Sequence, residues 1–154
     1  MKKGQLLIRC LVLGILVLGL CACGKSATKP GEREVKVSGT KPWIDTGIDV
    51  NKGQEIIVRA EGEVYINKKT PCTPNGVKDP NIKPITKLIW RTYNVTSDAM
   101  HGALIGKLGQ QGKPFLVGKE LKFRADSAGR LYLGINDKDM KNNQGAYFAK
   151  IAVK

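Results

Sequence analysis

The sequence predicts an all-β fold, an antiparallel β-sandwich of jelly-roll type. Three observations carry this. From residue 43 onward, short segments alternate apolar and polar residues with a period of two. Eighteen Gly and seven Pro, about a sixth of the 154 residues, punctuate those segments, which suits many turns and not a helical bundle. No stretch keeps a helical period over three turns, and the best one, Ser97 to Leu108, is weakened by Gly102 and Gly106.

Three segments precede or make up the domain. Residues 1–22 read as a lipoprotein signal peptide. Lys2, Lys3 and Arg9 supply the charge, and Cys10 to Leu20 is apolar or Gly, too short for a transmembrane helix of roughly 20 residues. The run ends in Leu20-Cys21-Ala22-Cys23-Gly24, which resembles the bacterial lipobox with Cys23 as the modified residue. Lipidation there, with several acyl chains such as palmitate, implies stable anchoring to the bacterial envelope, at the outer membrane or cell surface or facing the periplasm. Residues 23–40 form a lipidated tether, rich in Gly, Ser, Ala, Thr, Lys and Pro at its start. If Gly24 to Pro42 were wholly flexible its reach would be about 25 Å. Glu34 to Ser38 alternates and is compatible with a strand already forming. The folded domain is assigned to residues 41–154.

Within the domain, Trp43 to Val50 is the first clear strand, followed by a turn at Asn51-Lys52-Gly53-Gln54. Glu55 to Ala60 places Ile56, Val58 and Ala60 on one face, and Glu63 to Ile66 is a short strand after Gly62. Asn67 to Ile85 reads as a long loop, with Pro71, Pro74, Pro80 and Pro84. Leu88 to Tyr93 is a short strand or part of that loop. Gly102 to Leu108, Phe115 to Val117, Lys119 to Ala125 and Arg130 to Asn136 follow as strands. Asp137 to Gly145 is a polar loop, and Ala146 to Val153 closes the chain. The expected core is Trp43, Ile56, Val58, Leu104, Leu121, Phe123, Leu131, Leu133, Ile135 and Ile151.

The charge is strongly basic: 26 Lys and Arg against 13 Asp and Glu, a net +13. Lys2, Lys3 and Arg9 leave with the leader and no acid does, so the mature 132 residues carry +10. Such a charge favours anionic partners, here phosphate-rich lipid or acidic envelope polymer. Nucleic acid is disfavoured, because the chain is exported and shows no nucleic-acid motif. Once Cys10 and Cys21 are removed and Cys23 is lipidated, Cys72 is the only thiol, so no internal disulfide framework exists. Its setting, Thr70 to Pro74, reads as a loop in which exposure is possible, with an inert structural role the plainer reading.

Chemistry-bearing residues are few. The single histidine, His101, excludes a His-rich metal centre and any mechanism needing two histidines. No serine lies in a G-x-S-x-G frame. His101 reads as a core-edge or surface residue, Glu61 and Glu63 as a solvated face, and no enzyme is expected. More informative is the loop Asn136-Asp137-Lys138-Asp139-Met140-Lys141-Asn142-Asn143-Gln144-Gly145. Its two carboxylates and three Asn amides are the oxygen donors a hard cation such as Ca²⁺ takes, although Asx-rich turns also form without metal. The D-x-D-x-D-G spacing of an EF-hand is missing.

From Lys41 to Lys154 the chain resembles the calcium-dependent galactophilic lectins of the PA-I type. The likeness rests on Trp43-Ile44-Asp45-Thr46-Gly47-Ile48-Asp49-Val50, on Ala60-Glu61-Gly62-Glu63-Val64 and on Gly102-Ala103-Leu104-Ile105-Gly106-Lys107-Leu108-Gly109. It also rests on Gly129-Arg130-Leu131-Tyr132-Leu133-Gly134-Ile135-Asn136-Asp137 and Asn142-Asn143-Gln144-Gly145-Ala146-Tyr147-Phe148. The resemblance implies a jelly-roll sandwich of galactose-binding-domain type and a carbohydrate-binding function supported by Ca²⁺. It would draw a carboxylate from Asp137, side-chain oxygens from Asn142 and Asn143, the carbonyl of Tyr65, and a second carbonyl from the Asp139-Met140 region. Two departures stand out. The segment between Asp137 and Asn142 is shorter than in the galactose-specific lectin, and Pro84 to Tyr93 lacks the His and Gln that hold galactose there. Galactose specificity is therefore not implied, and few carboxylates in a basic domain imply calcium affinity of roughly 10⁻⁴–10⁻³ M. The alternative is a structural or adaptor lipoprotein of the envelope, binding a protein partner or an anionic polymer.

Overall fold

A computed structural model of the chain describes residues 31–154, so the expected signal peptide and Cys23 lie outside the described residues. Among the described residues, ten strands, one helix and a single 3₁₀ turn follow one another. The strands are β1 (Glu32–Ser38), β2 (Ile44–Val50), β3 (Glu55–Ile66), β4 (Thr70–Thr73), β5 (Gly76–Val77), β6 (Leu104–Leu108), β7 (Phe115–Leu116), β8 (Glu120–Arg124), β9 (Gly129–Ile135) and β10 (Gln144–Val153). Helix α1 (Pro84–Tyr93) lies between β5 and β6, and the 3₁₀ turn (Met140–Asn142) between β9 and β10.

All pairings are antiparallel, in two sheets. One runs β1-β10-β3-β4-β5, with β8 beside the first half of β3; the other runs β2-β9-β6-β7. Alternating residues of both sheets fill the space between them, which is why the period-two signal was legible. Val37, Ile56, Val58, Ile66, Tyr147 and Ile151 come from the first sheet, and Val50, Leu104, Leu131, Leu133 and Ile135 from the second. The all-β sandwich is as expected. Leu121 and Phe123 pack only partly buried on this core, and Trp43 joins a smaller cluster with Ala99, Ala103 and Ile105.

Four element expectations change. The sandwich takes in Glu32–Ser38, read as tether: β1 pairs with β10 over seven residues and buries Val35 and Val37. The two strands foreseen around Gly62 are one twelve-residue strand, because Gly62, at φ 101°, absorbs an irregular backbone without losing register with Tyr147. The long loop after Asn67 contains β4 and β5. Cys72 is accordingly a fully buried strand residue facing Val64, not an exposed loop thiol. Finally, Leu88 to Tyr93 belongs to α1, which starts at Pro84, since Pro at the first helical position has no N–H to lose.

One topological feature sets up the site. Strands β9 and β10 are consecutive but lie in different sheets. The loop of residues 136–143 therefore crosses the end of the sandwich. The β3–β4 turn and α1 meet it there.

Candidate functional site

The crossing loop begins with two buried polar residues. Asn136 is fully buried, and its side chain is spent on structure. Its Nδ2 donates to the carbonyls of Ala99 (2.8 Å), Thr96 (3.1 Å) and Met100 (3.2 Å), while Oδ1 accepts from the Thr96 N–H (2.9 Å). It pins residues 96–100 to the sandwich end and is not a ligand oxygen.

Asp137 is 3% exposed. Its Oδ1 accepts from the Asp139 N–H (2.9 Å) and its Oδ2 from Asn143 Nδ2 (2.9 Å). Among the described residues, no Lys or Arg forms an ion pair with it. A buried carboxylate held by two neutral donors retains lone pairs that a cation would satisfy, and burying it without one is costly. Asn143, also buried, donates through Nδ2 to both Asp137 and the Gly39 carbonyl (3.2 Å). Two acceptors on that side fix the amide's orientation, because the flipped form would set oxygen against oxygen. The other end, Asn143 Oδ1, is buried and has no donor among the described residues. An orphaned amide oxygen beside an uncompensated carboxylate is the donor chemistry of a hard-cation site.

The rest of the predicted set is brought to the same loop, with differences. Asn142 Nδ2 donates to Asp139 Oδ2 (3.2 Å), and Asn142 Oδ1 accepts from the Asn67 N–H (3.3 Å), tying the loop to the β3–β4 turn. Met140 opens the 3₁₀ turn, and its carbonyl accepts from the N–H of Asn143, the C-cap (3.3 Å). Tyr65 pairs with Gln144, one residue past Asn143. The cleft beside the loop is lined by Ile66 of β3 and Asn67 of the β3–β4 turn, not by Tyr65. Among the described residues no cluster of three His, Cys, Asp or Glu could hold a metal, so any ion here would depend on amide and carbonyl oxygens. The turn into β10 requires Gly145. It sits at φ 86°, and a Cβ there would collide with the Glu63 carbonyl oxygen.

Sequence reasoning missed the wall of the site. Trp90 of α1 stacks on His101, with ring centroids 5.3 Å apart and planes 24° from parallel. His101 Nδ1 lies 2.8 Å from Asn94 Oδ1, whose own Nδ2 points at the Ala99 carbonyl, so Nδ1 carries the proton. Burial pushes the His101 pKa below its usual value, opposed in part by the Asp137 carboxylate. The Trp90–His101 stack borders two clefts. One, of about 230 Å³, contains Asp137, Asp139 and Asn142 together with Ile89 and Tyr93. The other, of about 600 Å³, contains Lys78, Asp79, Lys87, Arg91 and Asp98. The helical spacing of Ile85, Leu88 and Ile89 was the signal that could have found this wall.

The remaining candidates are structural. Glu61 is exposed; Glu63 pairs with Lys78, whose ammonium holds the Glu63 carboxyl below the usual range, helped by a hydrogen bond from Tyr65. Burial pushes the Cys72 thiol up to about 12, which leaves it unreactive. The Tyr147 hydroxyl, deep in the core, lies 2.7 Å from the Thr73 carbonyl and 2.8 Å from that of Gly102, sharing one proton between them.

A solved structure described as the EclA N-terminal domain, a PllA-like lectin, superposes on this chain with a TM-score of 0.63. The match covers 82% of this chain and 100% of that one at 17% sequence identity. What the two share is the fold. No family model matches the chain, and no curated protein matches it significantly.

Proposed function

We propose that this domain binds carbohydrate at the sandwich end crossed by residues 136–143, with a calcium ion supporting the site, on an envelope lipoprotein anchored at Cys23. The carrying observation is the pair formed by Asp137, buried without a cation, and Asn143, whose Oδ1 has no donor. Asp137, Asn142 and Asn143 would hold the ion, with carbonyls from Tyr65 and the Asp139-Met140 region as the further oxygens the lectin resemblance implies. A calcium ion so held would offer its remaining positions to vicinal sugar hydroxyls.

The chain's own residues supply the rest of a sugar site. Trp90, Tyr93 and Ile89 give apolar and aromatic surface against which a pyranose face can pack, and Asp139 and Asn142 give polar groups at its edge. The lectin fold of the structural neighbour is consistent with this reading. The lack of His and Gln over Pro84 to Tyr93 directs the specificity away from galactose, and the basic charge towards acidic glycans.

A glycan array probed in calcium and again in EGTA tests the reading. One class of glycan retained in calcium and released by EGTA is expected. No calcium-dependent binder above background, with the protein shown to be folded, would sink it.

A further inference from the structure

We propose that α1 (Pro84–Tyr93) is an interfacial helix that seats on an anionic lipid surface. The helix touches its own domain through few groups: Thr86 and Trp90, one turn apart, are half-buried, the Thr92 and Tyr93 carbonyls accept from Lys138, and every side chain but those of Thr86 and Trp90 is exposed. The outward arc is apolar. Ile85, Leu88, Ile89 and Tyr93 are 60, 57, 52 and 46% exposed, and their i, i+3, i+4 and i+8 spacing makes them neighbours. Together they present roughly 400 Å² of surface, within the range of the largest apolar patch on a typical monomer, which is often functional.

Charge decides the occupant. Lys83, Lys87 and Arg91 recur every fourth residue along one flank of that arc, and the segment Lys83 to Tyr93 contains no acid. Among the described residues none of the three forms an ion pair, although Asp79 and Asp98 line the same cleft as Lys87 and Arg91. A protein groove that covered the apolar arc would leave three cations to be matched by carboxylates in fixed places. A bilayer containing anionic lipid meets both needs at once, with acyl boundary for the Ile-Leu-Ile arc and phosphates for the bases. Aromatic residues at the junction and bases on the polar flank are the composition of helices that lie in that plane. The helix is also poorly built to stand alone. It has no side-chain N-cap, no acid in its first turn and a Lys at the N-cap, where the helix dipole disfavours a cation.

The arc shares Ile89 and Tyr93 with the edge of the proposed sugar cleft, but its test needs neither sugar nor calcium. The proposal is tested by hydrogen exchange on the full chain, mixed with vesicles of phosphatidylcholine alone or of phosphatidylcholine with phosphatidylglycerol. Three bases at about fivefold each favour the anionic vesicles by about a hundredfold in partitioning, so amides of residues 85–93 should exchange more slowly on the anionic vesicles only, by about tenfold where nine-tenths of the chain is bound. High salt should erase the effect in the unmodified chain. So should Lys83→Gln with Lys87→Gln and Arg91→Gln, and separately Ile85→Ser with Leu88→Ser and Ile89→Ser. The N-terminal anchor is the same throughout and cannot produce these differences, and the β-strand amides report whether each variant is folded. Unchanged exchange in residues 85–93 would overturn the proposal, and so would equal slowing on neutral vesicles. Slowing that tracks protein concentration without vesicles would also overturn it, in favour of a second copy.

Discussion

At the scale of single residues, the loop between β9 and β10 combines oxygen donors that the proposed cation would satisfy. Asp137 is buried beside neutral donors, and Asn143 keeps an orphaned oxygen because its amide cannot flip. Calcium at ten times its Kd should add about 1.4 kcal/mol of stability. That corresponds to a rise in Tm of about 4–6 °C for a domain of this size. Asn143→Ala should abolish the shift while leaving the calcium-free protein folded; differential scanning calorimetry in calcium and in EGTA checks this. The Asx composition made Asp137, Asn142 and Asn143 legible in the sequence. Their burial was not, since it arises from the crossing between sheets. Asn136, of the same residue type, turned out to brace residues 96–100 instead.

His101 gives a second residue-scale prediction. Burial lowers its folded-state pKa below the unfolded value near 6.5. The unfolded chain then binds the extra proton, so stability is complete above about pH 6.5 and is lost as pH falls through and below that value. Urea unfolding in EGTA between pH 7.5 and 5 should show this loss, and His101→Phe, which keeps a ring against Trp90, should flatten it. A decline of the same size in both proteins would assign it to other groups.

At the scale of elements, β2, β6, β8, β9 and β10 were readable: β8 alternates regularly, and β6 and the end of β9, though buried on consecutive residues, keep their large apolar side chains between turn signals. Those that failed the reading failed for physical reasons. Pro71 disguised β4, which pairs with β3 by residues on either side of it. Pro84 read as a breaker, yet at the first helical position it starts α1, and ten residues are too few for a three-turn period. The alternation of Glu34 to Ser38 left a strand before residue 41 open, but β1 is an edge strand whose apolar residues are only Val35 and Val37, too few to fix its start. Removing β1 strips those side chains from the core and unpairs residues 146–152 of β10, which is several kcal/mol against a typical domain stability of about 5–15 kcal/mol. A chain beginning at Gly31 should therefore unfold cooperatively in urea. One beginning at Lys41 should lack a cooperative transition; an unchanged midpoint would show that β1 is dispensable.

At the scale of the whole molecule, one end of the sandwich concentrates what the rest lacks. The crossing loop, the β3–β4 turn and α1 converge there, and the stack of Trp90 on His101 borders both clefts. The strongly basic chain, with its exposed apolar helix beside the same end, suits a domain working close to an anionic envelope surface. The central claim is that this end is a calcium-supported sugar site. The most direct test is a crystal structure of the chain grown in millimolar calcium. The account predicts one ion touching Asp137, Asn142 and the Oδ1 of Asn143. A structure that leaves Asn143 Oδ1 without a partner at that calcium concentration, or places the ion elsewhere, would contradict it.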